Sequence, residues 1–268
     1  MENNINKYFD AIDIIYWINL DRAVERRNNM EEILKYLPTK NQRILAVDGK
    51  KKSLQELLTH FIKKRNIENQ LNSYEYACLL SHLNAINKFS ETNYEYALIL
   101  EDDVSLEYVK YWNKNISDII NEAPKDWEII MLNYMSSTPI RNLYELNKDI
   151  SSTQAYIINN KAAKKFINKY YINFQYDLTE YDNYVADNFI FNIFKTYCYK
   201  YPYFTYPTNN DSTIHSDHLD FHKFAKKIAF ESWAELINEN SKTNYLNFIL
   251  IGIIIVLIIL IRHWNYQI

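Results

Sequence analysis

The stretch Tyr96 to Asp103, YALILEDD, runs five consecutive hydrophobic residues directly into three acids. A short continuous apolar run reads as a strand buried on both faces, and its abrupt end presents the acids at the carboxyl edge, where open α/β sheets bind ligands. An acidic triplet alone is a common surface turn. A surface turn, however, gives no reason for five apolar residues to lead straight into it. Position therefore singles out Glu101, Asp102 and Asp103 as oxygen donors for a hard divalent cation, with room left for phosphate oxygens.

Outward from this strand, other elements fall into an alternating order. Upstream, Ile12 to Leu20 (IDIIYWINL) is a β-branched and aromatic run followed by a polar loop and a helical stretch from Ala23 to Tyr36. Arg43 to Val47 reads as a second short strand, and Ser53 to Arg65 as a basic amphipathic helix. Asn72 with Glu75 three positions later forms a capping-box pattern, and Leu79, Leu83 and Ile86 continue it at helical spacing, which puts His82 on or beside a buried face. Downstream, Trp127 to Leu132 (WEIIML) and Gln154 to Ile158 read as strands, the latter leading into the helical pattern NNKAAKKFINKY. Thr196 to Thr208, rich in Tyr and Pro, suggests irregular structure, and Phe221 to Leu236 a helix. Strands alternating with helices predict an α/β fold.

Composition narrows the chemistry. Among 268 residues, 48% are hydrophobic, enough to bury one sizeable core, and 30 basic against 33 acidic side chains give a net charge of −3. Intermixed charge of this kind offers no attraction for a polyanion, so nucleic acid is not an expected partner. Gly49 and Gly252 are the only glycines, which excludes a P-loop or dinucleotide fingerprint, since both need glycines for close backbone approach to phosphate. Any phosphate chemistry here must use a metal ion or cationic side chains. Cys78 and Cys198 form neither a disulfide framework nor a cysteine metal site.

The amino-terminal segment lacks the basic and long apolar regions of a secretory signal. Near the other end, Tyr245 to Ile261 is uncharged (YLNFILIGIIIVLIILI) and is flanked by Arg262 and Trp264. Seventeen such residues, rising about 1.5 Å each, cover most of a hydrocarbon core roughly 30 Å thick. The expected organisation is a catalytic domain over residues 1–240 and a single-pass transmembrane anchor over residues 245–264. The anchor is expected in a membrane, host or viral, with the domain expected in the cytosol.

Taken in order, IYWINLDRAVERR, EYACLLSHLNAI, ALILEDDV, DWEIIML and QAYIINNKAAKKF resemble glycosyltransferase family 25, which includes lipooligosaccharide and procollagen galactosyltransferases. The resemblance extends over about residues 12 to 217. It implies a GT-A type, Rossmann-like α/β domain. It further implies an inverting, Mn²⁺-dependent transfer of a hexose, galactose or glucose, from a UDP-sugar to a hydroxyl of a glycan, lipid or protein.

Residue by residue, the same resemblance places Asn19, Leu20, Asp21 and Arg26 at the uridine end of the donor. Ser81 and His82 fall near the donor as well, although a core histidine satisfies the pattern at 82 equally. Glu101 and Asp103 match the metal motif, and Asp102 is expected to bond the ribose or donor sugar. A late histidine would complete the metal shell, His215 with His218 as runner-up, and either could instead be a surface loop histidine. Inversion needs a general base, for which a carboxylate is the usual choice. Asp187 and Asp182 are the two candidates, and either could instead cap or solvate a helix. Ala77 and Asn133 stand where the family favours glycine. The competing readings are a catalytically silent, membrane-tethered binding module and a metal-dependent phosphohydrolase.

Overall fold

The computed structural model describes residues 5–64, 71–136, 138–147, 150–205, 227–228 and 230–238. The chain divides into two compact units, Met1–Ala229 and Phe230–Ile268. In the second, residues 230–238 are helical. The expected anchor at 245–264 lies outside the described residues. Among the described residues no helix is long and apolar enough to cross a membrane.

The first unit is built on a seven-stranded mixed sheet. Its strands are β1 (Ile14–Asn19), β2 (Lys40–Leu45), β4 (Tyr96–Glu101), β5 (Ile129–Met131), β6 (Tyr144–Leu146), β7 (Ala155–Asn159) and β10 (Thr196–Tyr199). They lie in the order β2-β1-β4-β7-β5-β10-β6. A three-stranded sheet combines β3 (Phe61–Ile62), β9 (Gln175–Asp177) and β8 (Tyr171–Ile172). Six helices accompany these strands among the described residues: α1 (Val24–Leu34), α2 (Leu54–Leu58), α3 (Ser73–Ser90), α4 (Ile116–Glu122), α5 (Asn160–Tyr170) and α6 (Ala186–Ile193).

β4 is flanked by β1, parallel to it, and β7, antiparallel to it; Ala97, Leu98, Ile99 and Leu100 are all fully buried. Two-faced burial is what the uninterrupted apolar run requires. Against one face packs α3, whose Leu79, Leu83 and Ile86 are wholly buried. Its start is the expected capping box: Asn72 Oδ1 accepts from the backbone N–H of Tyr74 and Glu75, and Glu75 Oε2 accepts from that of Asn72.

Two expectations are corrected. The helix foreseen from Ser53 to Arg65 ends at Leu58, because Phe61 and Ile62 pair in parallel with Tyr176 and Asp177, and Phe61 is buried against Tyr76 and Tyr176. The Tyr-rich stretch after Thr196 is not irregular at its start. Thr196–Tyr199 is a strand between β5 and β6, as β-branched and aromatic residues favour in a packed sheet.

The direction of β7 decides which residues meet at the acids. Because β7 runs against β4 and β5, its amino-terminal approach, Ser152 to Gln154, arrives at the edge where β1, β2, β4 and β5 end. A loop on that edge passes close to the start of α3 at Gly49. A Cβ there would stand 2.6 Å from Ser73 O and 2.7 Å from Tyr74 Cα, both backbone, so only glycine fits without a shift.

Candidate active site

A cleft of about 440 Å³ opens along this edge. Its walls come from the loop after β1 (Leu20, Ala23), the first turn of α1 (Arg26), the loop after β2 (Ala46 to Gly49), and α3 (Ala77, Cys78, Ser81, His82). The three acids, the approach to β7 and the start of α6 complete it. Ser81 ties two of these walls together, because its Oγ accepts from Val47 N–H (2.9 Å) and donates to Ala77 O (2.6 Å).

Each acid has a different set of partners. Glu101 Oε1 accepts from Thr153 Oγ1 (2.7 Å) and lies 3.3 Å from His82 Nε2. His82 is buried, and its Nδ1 is 3.2 Å from Tyr156 Oη. With the Tyr156 hydroxyl donating to Nδ1, Nε2–H is left to donate to Glu101. Burial pushes the Glu101 carboxyl up, but hydrogen bonds from His82 and Thr153 and the charge of Arg26 outweigh it and hold the group below its ordinary value.

Asp102 is turned into the protein. Its Oδ2 accepts from Asn19 Nδ2 (2.5 Å) and its Oδ1 from Arg26 Nη1 (3.0 Å). Burial nonetheless raises its pKa. Asn19 is itself fixed by Arg43, whose Nε donates to its Oδ1 at 2.9 Å.

Asp103 carries the surplus charge. Its Oδ1 accepts from Gln154 Nε2 (3.0 Å), and Arg26 Nη1 stands 3.5 Å from its Oδ2. Burial and the neighbouring Glu101 carboxylate overcome both and push it up to about 7. Six carboxylates, those of Asp48, Glu75, Glu101, Asp102, Asp103 and Asp187, line the cleft beside two arginines, Arg22 and Arg26. An all-oxygen donor set with unbalanced negative charge fits a hard divalent cation, with Asp103 as the carboxylate least compensated by the protein. Among the described residues no group of three or more His, Cys, Asp and Glu side chains is disposed to hold a metal by itself. His215 and His218, expected to complete such a shell, lie outside the described residues.

Across the cleft, Asp187 occupies the first turn of α6 and accepts from Ser152 N–H at 2.8 Å through Oδ2. Ser152 adopts φ 108°, a conformation that L-residues rarely hold and that costs about 1–3 kcal/mol. Burial, the first cause, and the Glu101 charge raise the Asp187 carboxyl despite the Ser152 bond.

Most of the residues singled out from sequence therefore meet here. Leu20, Arg26, Ser81, His82, the three acids and Asp187 line the cleft, and Asn19 braces it from beneath. Two do not. The Asp21 side chain is 61% exposed and is drawn away by Arg43 (2.7 Å). Asp182, 86% exposed, forms an ion pair with Lys64 on the surface. Ser152, Thr153, Gln154 and Tyr156 belong to the site and were not foreseen, and Asn133 was noted only as standing where the family favours glycine. For Ser152, Thr153 and Gln154 the available signal was the cluster of polar residues directly ahead of the apolar run that begins at Ala155.

Comparison with known proteins bears on what this edge is for. The profile of glycosyltransferase family 25 (LPS biosynthesis protein) matches residues 12–185. Human procollagen galactosyltransferase 2 is 32% identical over 142 residues, which is 48% of this chain and 22% of that protein. A glycosyltransferase 25 family member of Drosophila melanogaster is 32% identical over 121 residues, or 42% of this chain and 19% of that protein. This chain thus matches about a fifth of the length of these relatives. Among solved structures, the glycosyltransferase GlyE of Streptococcus pneumoniae TIGR4 aligns over 85% of this chain and 64% of its own, at 8% identity and a TM-score of 0.39. The profile match takes in well over half of the sequence and all of the acid edge, and the chain belongs to glycosyltransferase family 25.

Proposed function

We propose that this chain is an inverting hexosyltransferase of GT-A type that moves galactose or glucose from a UDP-sugar to a hydroxyl acceptor with the help of Mn²⁺. The observation that carries this reading is the cleft itself, in which Asp103 and its neighbouring acids stand on one wall and Asp187 on another. The name of the human relative, a galactosyltransferase, supports galactose as the sugar.

In this reading Asp103 and Glu101 would hold the cation, which when bound would supply positive charge to neutralise a departing diphosphate. His82 and Thr153 fix Glu101, while Asn19 and Arg26 fix Asp102, so the acid edge is oriented before the donor arrives. The carboxylate of Asp187 takes the proton of the acceptor hydroxyl. That oxygen forms the new bond to the anomeric carbon from the face opposite the diphosphate, and the bond to the diphosphate oxygen breaks with its electron pair, releasing UDP. A carboxylate with a raised pKa suits the task, because a base is most effective when its pKa approaches the working pH. Asp187 lies two residues beyond the end of the family match, so its assignment rests on the geometry of α6 and Ser152. The acceptor is a hydroxyl of a glycan, lipid or protein, and the uncharged run from Tyr245 to Ile261 tethers the domain to a membrane.

The test is UDP release from a panel of UDP-sugars by the full chain, with Mn²⁺ and with EDTA. Slow Mn²⁺-dependent hydrolysis of one donor supports the reading and names the sugar. Mn²⁺-dependent UDP binding without turnover of any donor favours a silent binding module. Release of inorganic phosphate from UDP would point to a phosphohydrolase.

A further inference from the structure

Behind Asp103 lies a buried chain of two amides. Gln154 is fully buried, and its Nε2 donates to Asp103 Oδ1 at 3.0 Å and to Asp103 O at 2.9 Å. Its Oε1 accepts from Nδ2 of Asn133, which is 2% exposed. Asn133 Oδ1 in turn accepts from the backbone N–H of Tyr134 at 2.7 Å.

An amide can be turned round, but a backbone N–H can only donate. The Tyr134 N–H therefore sets the direction of the whole chain. It requires an oxygen from Asn133, which leaves the Asn133 NH₂ to face Gln154, which requires the Gln154 oxygen there and leaves its NH₂ to face Asp103. A freely rotating glutamine could present either its oxygen or its nitrogen to the carboxylate. This one always presents donors. Two further contacts extend the chain toward the other wall: Gln154 N–H to Ser152 Oγ at 3.4 Å, and Ser152 N–H to Asp187 at 2.8 Å.

We infer that Asn133 and Gln154 are positioning residues that hold the Asp103 carboxylate in its cation-binding orientation through this one-way relay of hydrogen bonds. The inference rests on the proposed role of Asp103 as a cation ligand. Asn133 does not line the cleft, so the task assigned to it is performed through Gln154. Outer partners of ligating carboxylates are typically worth 10- to 100-fold in metal affinity.

The experiment is calorimetric titration of Mn²⁺ into the full chain in mild detergent. Parent, Asp103→Ala, Asn133→Ala and Gln154→Met are compared with Asn159→Ala. Asn159 is a helix-capping amide at the far end of β7, bonded to Trp127 O and Ala162 N at 2.8 Å each, so its loss reports a purely structural defect. The relay predicts no binding by Asp103→Ala, affinity about 10- to 100-fold weaker in Asn133→Ala and Gln154→Met, and parental affinity in Asn159→Ala. Gln154→Met preserves side-chain length and carries the test if Asn133→Ala does not fold. Parental affinity in both relay variants, with Asp103→Ala silent, overturns the relay and leaves the ligand role of Asp103 standing. Failure of the parent itself to bind Mn²⁺ overturns both.

Discussion

Replacing Asp103 by Asn should stabilise the protein by an amount that grows from about pH 4 to about pH 7 and is full above it. In the folded chain the Asp103 carboxyl is pushed from an ordinary 3.8 to about 7 by burial and by Glu101. A carboxyl whose pKa is raised on folding holds its proton more tightly in the native state. The contribution of Asp103 to stability is therefore fully present below about pH 4, declines as pH rises toward 7, and is gone above it. At about 1.4 kcal/mol for each tenfold change in proton affinity, ionising Asp103 in the fold costs at most about 4 kcal/mol. Neighbouring carboxylates share that repulsion, so about 2 kcal/mol is a sounder figure.

An asparagine at 103 keeps the oxygen that accepts from Gln154, and Arg26 keeps its nearer partner Asp102 at 3.0 Å. The variant should then unfold about 4–8 °C higher than the parent at pH 8 in EDTA, taking about 2–4 °C per kcal/mol for a domain of this size. Below about pH 4, where Asp103 is protonated in the folded and the unfolded chain alike, the two should coincide. Saturating Mn²⁺ at pH 8 should raise the parent and leave Asp103→Asn unmoved. Thermal melts and urea titrations at both pH values, with EDTA and with Mn²⁺, read all three. A variant less stable than the parent at pH 8 in EDTA would mean that the fold compensates the Asp103 charge, and the surplus-charge account of the site would fail.

Other expectations are equally direct. Asp187→Asn should lower kcat by about 10²–10⁴ with little change in KM for the donor. Asp182→Asn, which disturbs only a surface pair, should match the parent in UDP release; the opposite ranking would move the base to Asp182. Gly49→Ala forces a Cβ to within 2.6 Å of Ser73 O and should cost about 1–3 kcal/mol in urea unfolding, whereas an unchanged midpoint would show that the loop can retreat. Tyr156→Phe leaves the buried Nδ1 of His82 without its donor and should cost about 1–3 kcal/mol, a loss absent if His82 reverses its ring.

Why some of the site could be read from sequence and some could not follows from the geometry of β4 and β7. The acid edge was legible because a strand buried on both faces needs an unbroken apolar run, and such a run has only its ends in which to place polar groups. The capping box at Asn72 was legible because all its atoms lie within four residues. Strand direction leaves no such trace, since an apolar run reads the same whether its neighbour is parallel or antiparallel. A strand parallel to β4 brings to the acids only the residues that follow it, and the candidates drawn from the loop after β1 obey that rule. β7 runs the other way, so the residues that precede it are the ones delivered, and Ser152, Thr153 and Gln154 escaped a search directed at strand ends. The same reversal explains Asn133. Read alone, it is a bulky replacement for glycine at the end of β5; set beside antiparallel β7, it faces Gln154 and supplies the donor that a buried amide oxygen requires. Asp182 and Asp187 could not be separated locally, as they lie five residues apart in YDNYVAD at the approach to and first turn of one helix. Only the packing of α6 turns one toward Ser152 and leaves the other to Lys64. In a mixed sheet, then, polar residues ahead of an apolar run carry as much information about a site as those behind it, and the order QAYIIN deserved the same reading as ALILEDD.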